Sequence, residues 1–140
     1  MYLVDTDVVS ELRKKAKANR RVVRFFVDAA ARNVPLYLAA VTVGELRRGV
    51  EVIRHRGDLR QANLLDRWLD AVLTDYSENV LPFDADAAQV WGRLRVPHPE
   101  NPLDKQIAAT ALLYDLIVVT RNTRNFASTG AKLFDPFAAT

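Results

Sequence analysis

The chain contains no cysteine among its 140 residues. This absence excludes disulfide bonds, a catalytic thiolate and a zinc site with cysteine ligands, and it is compatible with a reducing compartment. Only two histidines are present, His55 and His98, and they lack the spacing of a zinc site. We interpret both as surface residues.

Long hydrophobic runs are also missing. The longest apolar stretches, such as residues 116–119, are far shorter than the roughly 20 residues needed to cross a bilayer. Near the N-terminus, Asp5 lies where a signal peptide would have its apolar segment. No internal repeat or low-complexity tract is present. We therefore expect a cytoplasmic protein with no membrane association.

The residues that are present suit one globular core. Hydrophobic residues make up 49% of the chain and charged residues 26%, and the length predicts one domain over residues 1–140. The net charge is +3, and most of the basic residues are arginines. Because guanidinium groups bind phosphate through paired hydrogen bonds, a polyanionic partner is one interpretation. An ordinary solvated surface is the other.

Strand-like and helix-like patterns alternate along the chain. Strands are predicted at residues 2–4, 36–40, 80–83, 116–120 and 132–134. Helices are predicted at residues 8–17, from Asn19, from Thr42, from Asp58, at 84–96 and at 102–114. This alternation predicts the α/β class, with a mainly parallel sheet between two layers of helices.

Four acidic residues stand at the starts of helices or the ends of strands. Asp5 and Asp7 follow the first strand, and Glu45 and Asp104 fall near the starts of later helices. Parallel strands end at one edge of a sheet, so we expect Asp5, Glu45 and Asp104 to lie close together. Carboxylates about 4 Å apart repel by roughly 4 kcal/mol at a dielectric near 20, which a cation would offset. The all-oxygen ligand set predicts Mg²⁺, with Mn²⁺ as the alternative.

These acids also have simpler interpretations. Thr42 and Glu45 match a capping box, in which each side chain accepts a hydrogen bond from a free backbone amide. Asn101 and Pro102 are typical of an N-cap and a first helical residue, which would place Asp104 favourably in the helix dipole. Each of the three residues after the first strand could cap the first helix.

In this order, four segments and a closing one resemble the PIN-domain nucleases, specifically the VapC-type toxins of bacterial toxin–antitoxin modules. They are Leu-Val-Asp-Thr-Asp-Val-Val-Ser-Glu, Thr-Val-Gly-Glu-Leu-Arg-Arg-Gly, Asp-Lys-Gln-Ile-Ala-Ala-Thr-Ala, Val-Val-Thr-Arg-Asn-Thr-Arg-Asn-Phe and finally Leu-Phe-Asp-Pro-Phe. The resemblance implies a PIN-like three-layer α/β/α fold. It also implies that Asp5, Glu45 and Asp104 bind one or two divalent ions.

Other positions near these acids are supporting candidates. A fourth acid usually stands where this chain has Asn122, so the resemblance leaves the number of ions open. Asp7 replaces the asparagine common at its position and returns some negative charge. Thr6 and Thr120 match small hydroxyl residues around the family's site. For Thr120, a hydroxyl that is simply hydrogen-bonded at a strand end is an equal alternative.

The function implied is a Mg²⁺-dependent endoribonuclease that cleaves RNA by a water molecule activated by the metal ion, leaving 5′-phosphate and 3′-hydroxyl ends. A structured RNA such as tRNA is the implied substrate. The implied partners are a second copy of the chain and a small antitoxin, with a DNA-binding N-terminal part and a C-terminal segment that folds onto the toxin. Candidate RNA-binding residues are Arg47, Arg48, Arg121 and Arg124, unless these pair with local acids.

Two other functions fit parts of the pattern. A phosphatase of the haloacid-dehalogenase type would use Asp5 and Asp7 as nucleophile and acid, but its later lysine and acidic pair are not matched in order by Lys132 and Asp135. A PIN-like domain that binds RNA or protein without cleavage would be favoured if an acid of the proposed metal site were missing. All of these acids are present.

Overall fold

The computed structural model describes residues 1–138. Its centre is a five-stranded sheet in which every strand pairing is parallel, with the order β3-β2-β1-β4-β5. The strands are β1 (Tyr2–Val4), β2 (Leu36–Ala39), β3 (Val80–Leu81), β4 (Ile117–Val119) and β5 (Lys132–Phe134). The first strand of the chain is therefore the central one, and its carboxyl end lies between those of β2 and β4.

Seven α-helices within residues 1–138 cover the two faces of the sheet. They are α1 (Thr6–Glu11), α2 (Arg20–Ala31), α3 (Ala40–His55), α4 (Leu59–Asp75), α5 (Ala85–Leu94), α6 (Pro102–Tyr114) and α7 (Thr123–Phe126). Side chains alternate between the faces of a strand, so Val4 packs with α1 to α4 while Leu3 packs with α6 and α7. The three-layer α/β/α arrangement predicted from the sequence is confirmed.

Several predicted boundaries are wrong, each for a local reason. The helix predicted at residues 8–17 is α1 followed by a 3₁₀ segment, Leu12–Lys17, in which Lys15 has a φ of 53°. The strand predicted at residues 80–83 ends at Leu81, because Pro82 has no amide hydrogen to donate to the sheet. The helix α6 begins at Pro102 as predicted, although the Asn101 side chain makes no capping hydrogen bond.

The capping box predicted for Thr42 and Glu45 is also wrong. The helix α3 begins at Ala40, directly after β2, and Ala39 occupies its N-cap position without a side-chain hydrogen bond. Thr42 therefore lies inside the first turn, where its buried hydroxyl oxygen has no hydrogen-bond partner among residues 1–138. Over the same residues, no helix combines the length and apolar character needed to cross a membrane.

Candidate active site

Asp5 connects the central strand to the first helix. It occupies the N-cap of α1 and is only 4% exposed. The backbone amide of Thr6 donates a hydrogen bond to Asp5 Oδ1 over 2.7 Å, and the Thr120 hydroxyl donates to Oδ2 over 2.7 Å. The Asp5 amide donates to the carbonyl of Val119 on the neighbouring strand. The carboxylate is thus fixed in position from both sides.

Asp7 lies one residue into α1 and is half-buried. Its Oδ2 accepts a hydrogen bond from the backbone amide of Arg121 over 3.3 Å. Its Oδ1 is buried and has no hydrogen-bond partner among residues 1–138. Because a buried oxygen without a partner is costly, it indicates a polar or cationic group that would complete the site.

One cavity brings the predicted site residues together. Its volume is about 220 Å³. Six polar residues line it together with three apolar ones: Asp5, Thr6, Asp7, Glu45, Asp104, Asn122, Val41, Leu103 and Ile107. The cavity lies at the carboxyl edge of the sheet, where the starts of α1, α3 and α6 converge. Thr120 is buried behind it, and its hydroxyl accepts a hydrogen bond from the Asn122 amide over 3.0 Å.

Glu45 and Asp104 reach the cavity from opposite faces of the sheet. Glu45 lies on the second turn of α3 and also lines a smaller cavity of about 40 Å³ beside Ser10 and Arg13. Asp104 lies in the first turn of α6, where the helix dipole favours a negative charge. The amide nitrogen of Asn125 donates to Asp104 Oδ2 over 3.0 Å, which orients that carboxylate.

The electrostatics of the cavity oppose negative charge on its buried acids. Burial raises the pKa of Asp5 from 3.8 to about 7, with smaller contributions from the charges of Asp7 and Asp104, while hydrogen bonds from Thr120 and Thr6 act in the opposite direction. Burial likewise raises the pKa of Asp7, and its hydrogen bond from a backbone amide opposes the rise. A bound cation would favour the charged forms of both acids.

The donor set fits a hard divalent cation, but the ligands are not assembled around one point. All candidate donors are carboxylate, hydroxyl or amide oxygens, the ligands that Mg²⁺ and Mn²⁺ prefer. Among residues 1–138, no group of three or more histidine and acidic side chains is arranged to hold a metal ion as it stands. The acids therefore share one cavity without forming a closed set of ligands around a single point.

Two of the four candidate RNA-binding arginines lie on α3. Arg47 forms ion pairs with Glu51 over 3.3 Å and with Asp66 of α4 over 3.1 Å, which is the local pairing considered as the alternative. Arg54 contacts the same two acids. Arg48 is exposed on the neighbouring position. Of this pair, Arg48 is better placed to contact an external phosphate.

The other two arginines follow β4. Arg124 is exposed in α7. The guanidinium of Arg121 lies 4.2 Å from the centre of the Phe137 ring, a cation–π contact with the residues that follow β5. The Arg121 backbone amide donates to Asp7, so Arg121 connects Phe137 to the cavity.

Two residues with clear roles were not singled out from the sequence. Asn125, which binds Asp104, lies within a recognised motif, and its position three residues after Asn122 is the only local signal. Glu11 is 7% exposed and accepts hydrogen bonds from Lys14 Nζ and the Asn19 amide, over 2.8 and 2.9 Å. The Lys14 ammonium holds the pKa of Glu11 below its ordinary value. Glu11 thus joins the end of α1 to the start of α2.

Comparison with known proteins extends these observations. The family model described as PIN domain matches residues 2–132. Toxin FitB of Neisseria gonorrhoeae is 33% identical over 98% of this chain and 99% of that protein. VapC ribonuclease Y4jK of Sinorhizobium fredii is 34% identical over 98% of each chain. The crystal structure of FitAcB from Neisseria gonorrhoeae has a TM-score of 0.85 and 32% identity, and covers 99% of this chain and all of that one.

Proposed function

Because the chain belongs to the PIN-domain family, we propose that it is a divalent-metal-dependent endoribonuclease and the toxin of a two-component module. Two relatives support the two halves of this proposal, one named as a toxin and the other as a VapC ribonuclease. The proposed nuclease domain spans residues 1–140. The proposed location is the cytoplasm, where the RNA substrate, with tRNA as the first candidate, is found.

The observation that carries the proposal is the carboxylate cavity. A structural role does not account for a cavity in which Asp5 has a pKa near 7 and Asp7 Oδ1 has no partner among the described residues. Both features destabilise the protein without a cation, and both are relieved by one. A site with this property suits chemistry on phosphodiesters, whose own negative charge also requires a cation.

The proposed ligands are Asp5, Glu45 and Asp104, with Mg²⁺ as the first candidate ion and Mn²⁺ as the second. When bound there, the ion would supply neutralisation of phosphate charge and the activation of a water molecule as nucleophile. The chain's own residues prepare the site. Thr120 and the Thr6 amide hold Asp5, and Asn125 holds Asp104. Asp7 adds negative charge to the cavity that Asn122 also lines.

Control by a cognate antitoxin completes the proposal. The structure of FitAB bound to a DNA fragment, with 29% sequence identity and a TM-score of 0.83 to this chain, supports this part of the proposal. We propose that a small antitoxin with a DNA-binding N-terminal part places its C-terminal segment along the groove between α1, α3 and α4. That groove contains the small cavity lined by Ser10, Arg13, Glu45 and Trp68. The toxin itself is proposed to be a homodimer.

Cleavage of total RNA tests the enzymatic part. The purified protein should generate new 5′-phosphate ends with Mg²⁺ and none with a chelator. Asp5→Asn should abolish cleavage, because the amide removes ligand charge at nearly constant volume. Asp70→Asn, an exposed acid on α4 outside the cavity, is the matched control and should cleave like the parent. A folded parent protein that binds RNA without producing new ends would favour the non-cleaving PIN-like binder.

Expression tests the toxin assignment separately. The parent chain should arrest growth, and Asp5→Asn should not. Co-expression with the adjacent small reading frame should restore growth and give a co-purifying complex, whose mass by light scattering reports the number of toxin copies. Growth unaffected by a folded, active ribonuclease would remove the toxin role while leaving the enzymatic one.

A further inference from the structure

A second concave surface lies between α2 and the edge strand β5. Its volume is about 450 Å³, against about 220 Å³ for the carboxylate cavity. Four arginines line it, Arg20, Arg21, Arg24 and Arg32, and the acid among its lining residues is Asp28. We refer to this surface as the arginine groove. Its lining carries a clear excess of positive charge.

The sequence of α2 places these arginines on one side of the helix. Arg20 and Arg21 precede Arg24 by four and three residues, a spacing that puts their side chains next to it, so these like charges repel. Asp28 lies four residues from both Arg24 and Arg32, the C-cap of α2, and forms an ion pair with neither. Among residues 1–138 none of the four forms an ion pair. The arginines of α3 differ, because Arg47 and Arg54 both form ion pairs with Glu51 and Asp66. Unpaired guanidinium groups around one concavity indicate an external anionic ligand.

Aromatic rings form the floor of the arginine groove. Tyr2 meets Phe25 edge-on at 5.1 Å between ring centres, and Phe25 lies 5.7 Å from Phe134 with the two planes tilted by 33°. Phe134 remains 40% exposed on an edge strand. The ring is therefore supported from behind and open at the front. An exposed, supported ring of this kind is a stacking platform for a nucleic-acid base.

A short path connects the arginine groove to the carboxylate cavity. Arg21 Nη1 donates to the Phe137 carbonyl over 3.5 Å, and the Arg121 guanidinium lies over the Phe137 ring. The Arg121 backbone amide then contacts Asp7 in the cavity. The positive charge of Arg121 thus lies between the arginine groove and the carboxylate cavity, where it could contact a polyanion that extends from one to the other.

We propose that the arginine groove binds a single-stranded segment of the RNA substrate, with its phosphates on the arginines and one base on Phe134. The proposal rests on the proposed function for the identity of the substrate. The combination of unpaired arginines with an exposed ring favours RNA over an acidic polypeptide, which would use the charges alone. A free nucleotide shares the same chemistry, and the experiment separates the two.

Binding is measured on the full chain, with chelator present so that no RNA is cleaved. The probe is a labelled single-stranded RNA of about 12 nucleotides. Arg20→Gln combined with Arg24→Gln should lower affinity at least about tenfold and reduce the slope of log affinity against log salt by about 1.4, because two phosphate contacts are lost. The control, Arg60→Gln with Arg67→Gln on α4, removes the same charge outside the groove and should leave the slope unchanged.

The stacking contact is tested by Phe134→Leu, which keeps an apolar side chain without a ring. We expect affinity for the RNA to fall about fivefold or more with no change in salt slope, because stacking involves no counterion release. Adenosine 5′-monophosphate is the free-nucleotide probe, and it should bind far more weakly than the RNA. Circular dichroism checks that each variant is folded. If Phe134→Leu does not fold, the Arg20→Gln and Arg24→Gln variant still tests the proposal.

Distinct results would overturn the proposal. Equal losses in the groove and control pairs would reduce it to non-specific charge, and nucleotide binding as tight as RNA binding would make it a nucleotide site. Binding of poly-glutamate that depends on the groove, with RNA binding unaffected, would assign the groove to a polypeptide. Cleavage by a parent whose groove variants bind RNA normally would remove the groove and leave the nuclease. If the parent does not cleave RNA but its groove variants lose RNA binding, the groove proposal stands and the nuclease proposal is removed.

Discussion

Replacement of Asp5 by asparagine should stabilise the metal-free protein in a pH-dependent way. The folded-state pKa of Asp5 is about 7 against an ordinary 3.8, so above pH 7 its buried charge costs up to about 4 kcal/mol. Asparagine removes that charge but turns an amide group toward Thr120, whose hydroxyl loses its acceptor at a cost of about 1 kcal/mol. The net gain expected at pH 8 is about 3 kcal/mol.

The sign of the pH dependence follows from the direction of the pKa change. Because the folded state binds the proton more tightly, the parent loses stability relative to the variant as the pH rises from 3.8 toward 7. The difference should therefore grow from less than about 1 kcal/mol at about pH 5 to about 3 kcal/mol at about pH 8, then stay constant.

Urea unfolding in chelator, followed by the fluorescence of Trp68 and Trp91, measures this difference. At a typical slope of about 2 kcal/mol per M, the midpoint of the variant should lie about 1.5 M above that of the parent at about pH 8. Excess Mg²⁺ should narrow the gap, because it binds only the folded parent tightly. Asp70→Asn serves as the exposed control. A gap that is the same at every pH would show that the charge of Asp5 is not its cause.

Three further predictions concern the surroundings of the site. Thr120→Val removes a hydrogen bond to Asp5, so it should raise the pKa of Asp5 further and slow cleavage about tenfold. A pH–rate profile would show this as a displaced acidic limb. Asn125→Ala should weaken Mg²⁺ affinity about tenfold by releasing Asp104, and unchanged affinity by calorimetry would contradict this role. Arg48→Gln should reduce the salt slope of RNA binding by about 0.7, whereas Arg47→Gln should change it little because its charge is already paired.

The sequence predicted the fold well because its signals are local and periodic. The helix α6 and the strand β5 match their predicted bounds, since Pro102 marks the start of the helix, and Gly130 and Pro136 lie close to the two ends of the strand. The start of α3 was mispredicted from equally local evidence. The turn directly after β2 leaves no room for a loop, so the chain becomes helical at Ala40 before Thr42 can act as a cap.

The site was less accessible to sequence reasoning because its contacts are long-range. Residues Asp5 and Thr120 are 115 positions apart, and Asp7 and Arg121 are 114 apart, yet each pair shares a hydrogen bond. The predicted ligands could be placed at one edge of the sheet from the alternation of strands and helices, which predicts parallel strands. The pairing of Arg47 with Asp66 on α4 could not be foreseen, because it depends on how two helices pack.

The junctions between strands and helices at the carboxyl edge are very short. A single residue, Asp5, separates β1 from α1, and none separates β2 from α3. These junctions therefore offer no lid that could close over a bound substrate and exclude water. In the proposed ribonuclease, shielding of the reacting phosphate must therefore come from outside these two junctions. We expect the RNA itself to supply part of it, so a bent or looped strand that fills the cavity should be cleaved faster than a relaxed strand of the same sequence. Selectivity would then reside in the shape that the RNA adopts before it arrives.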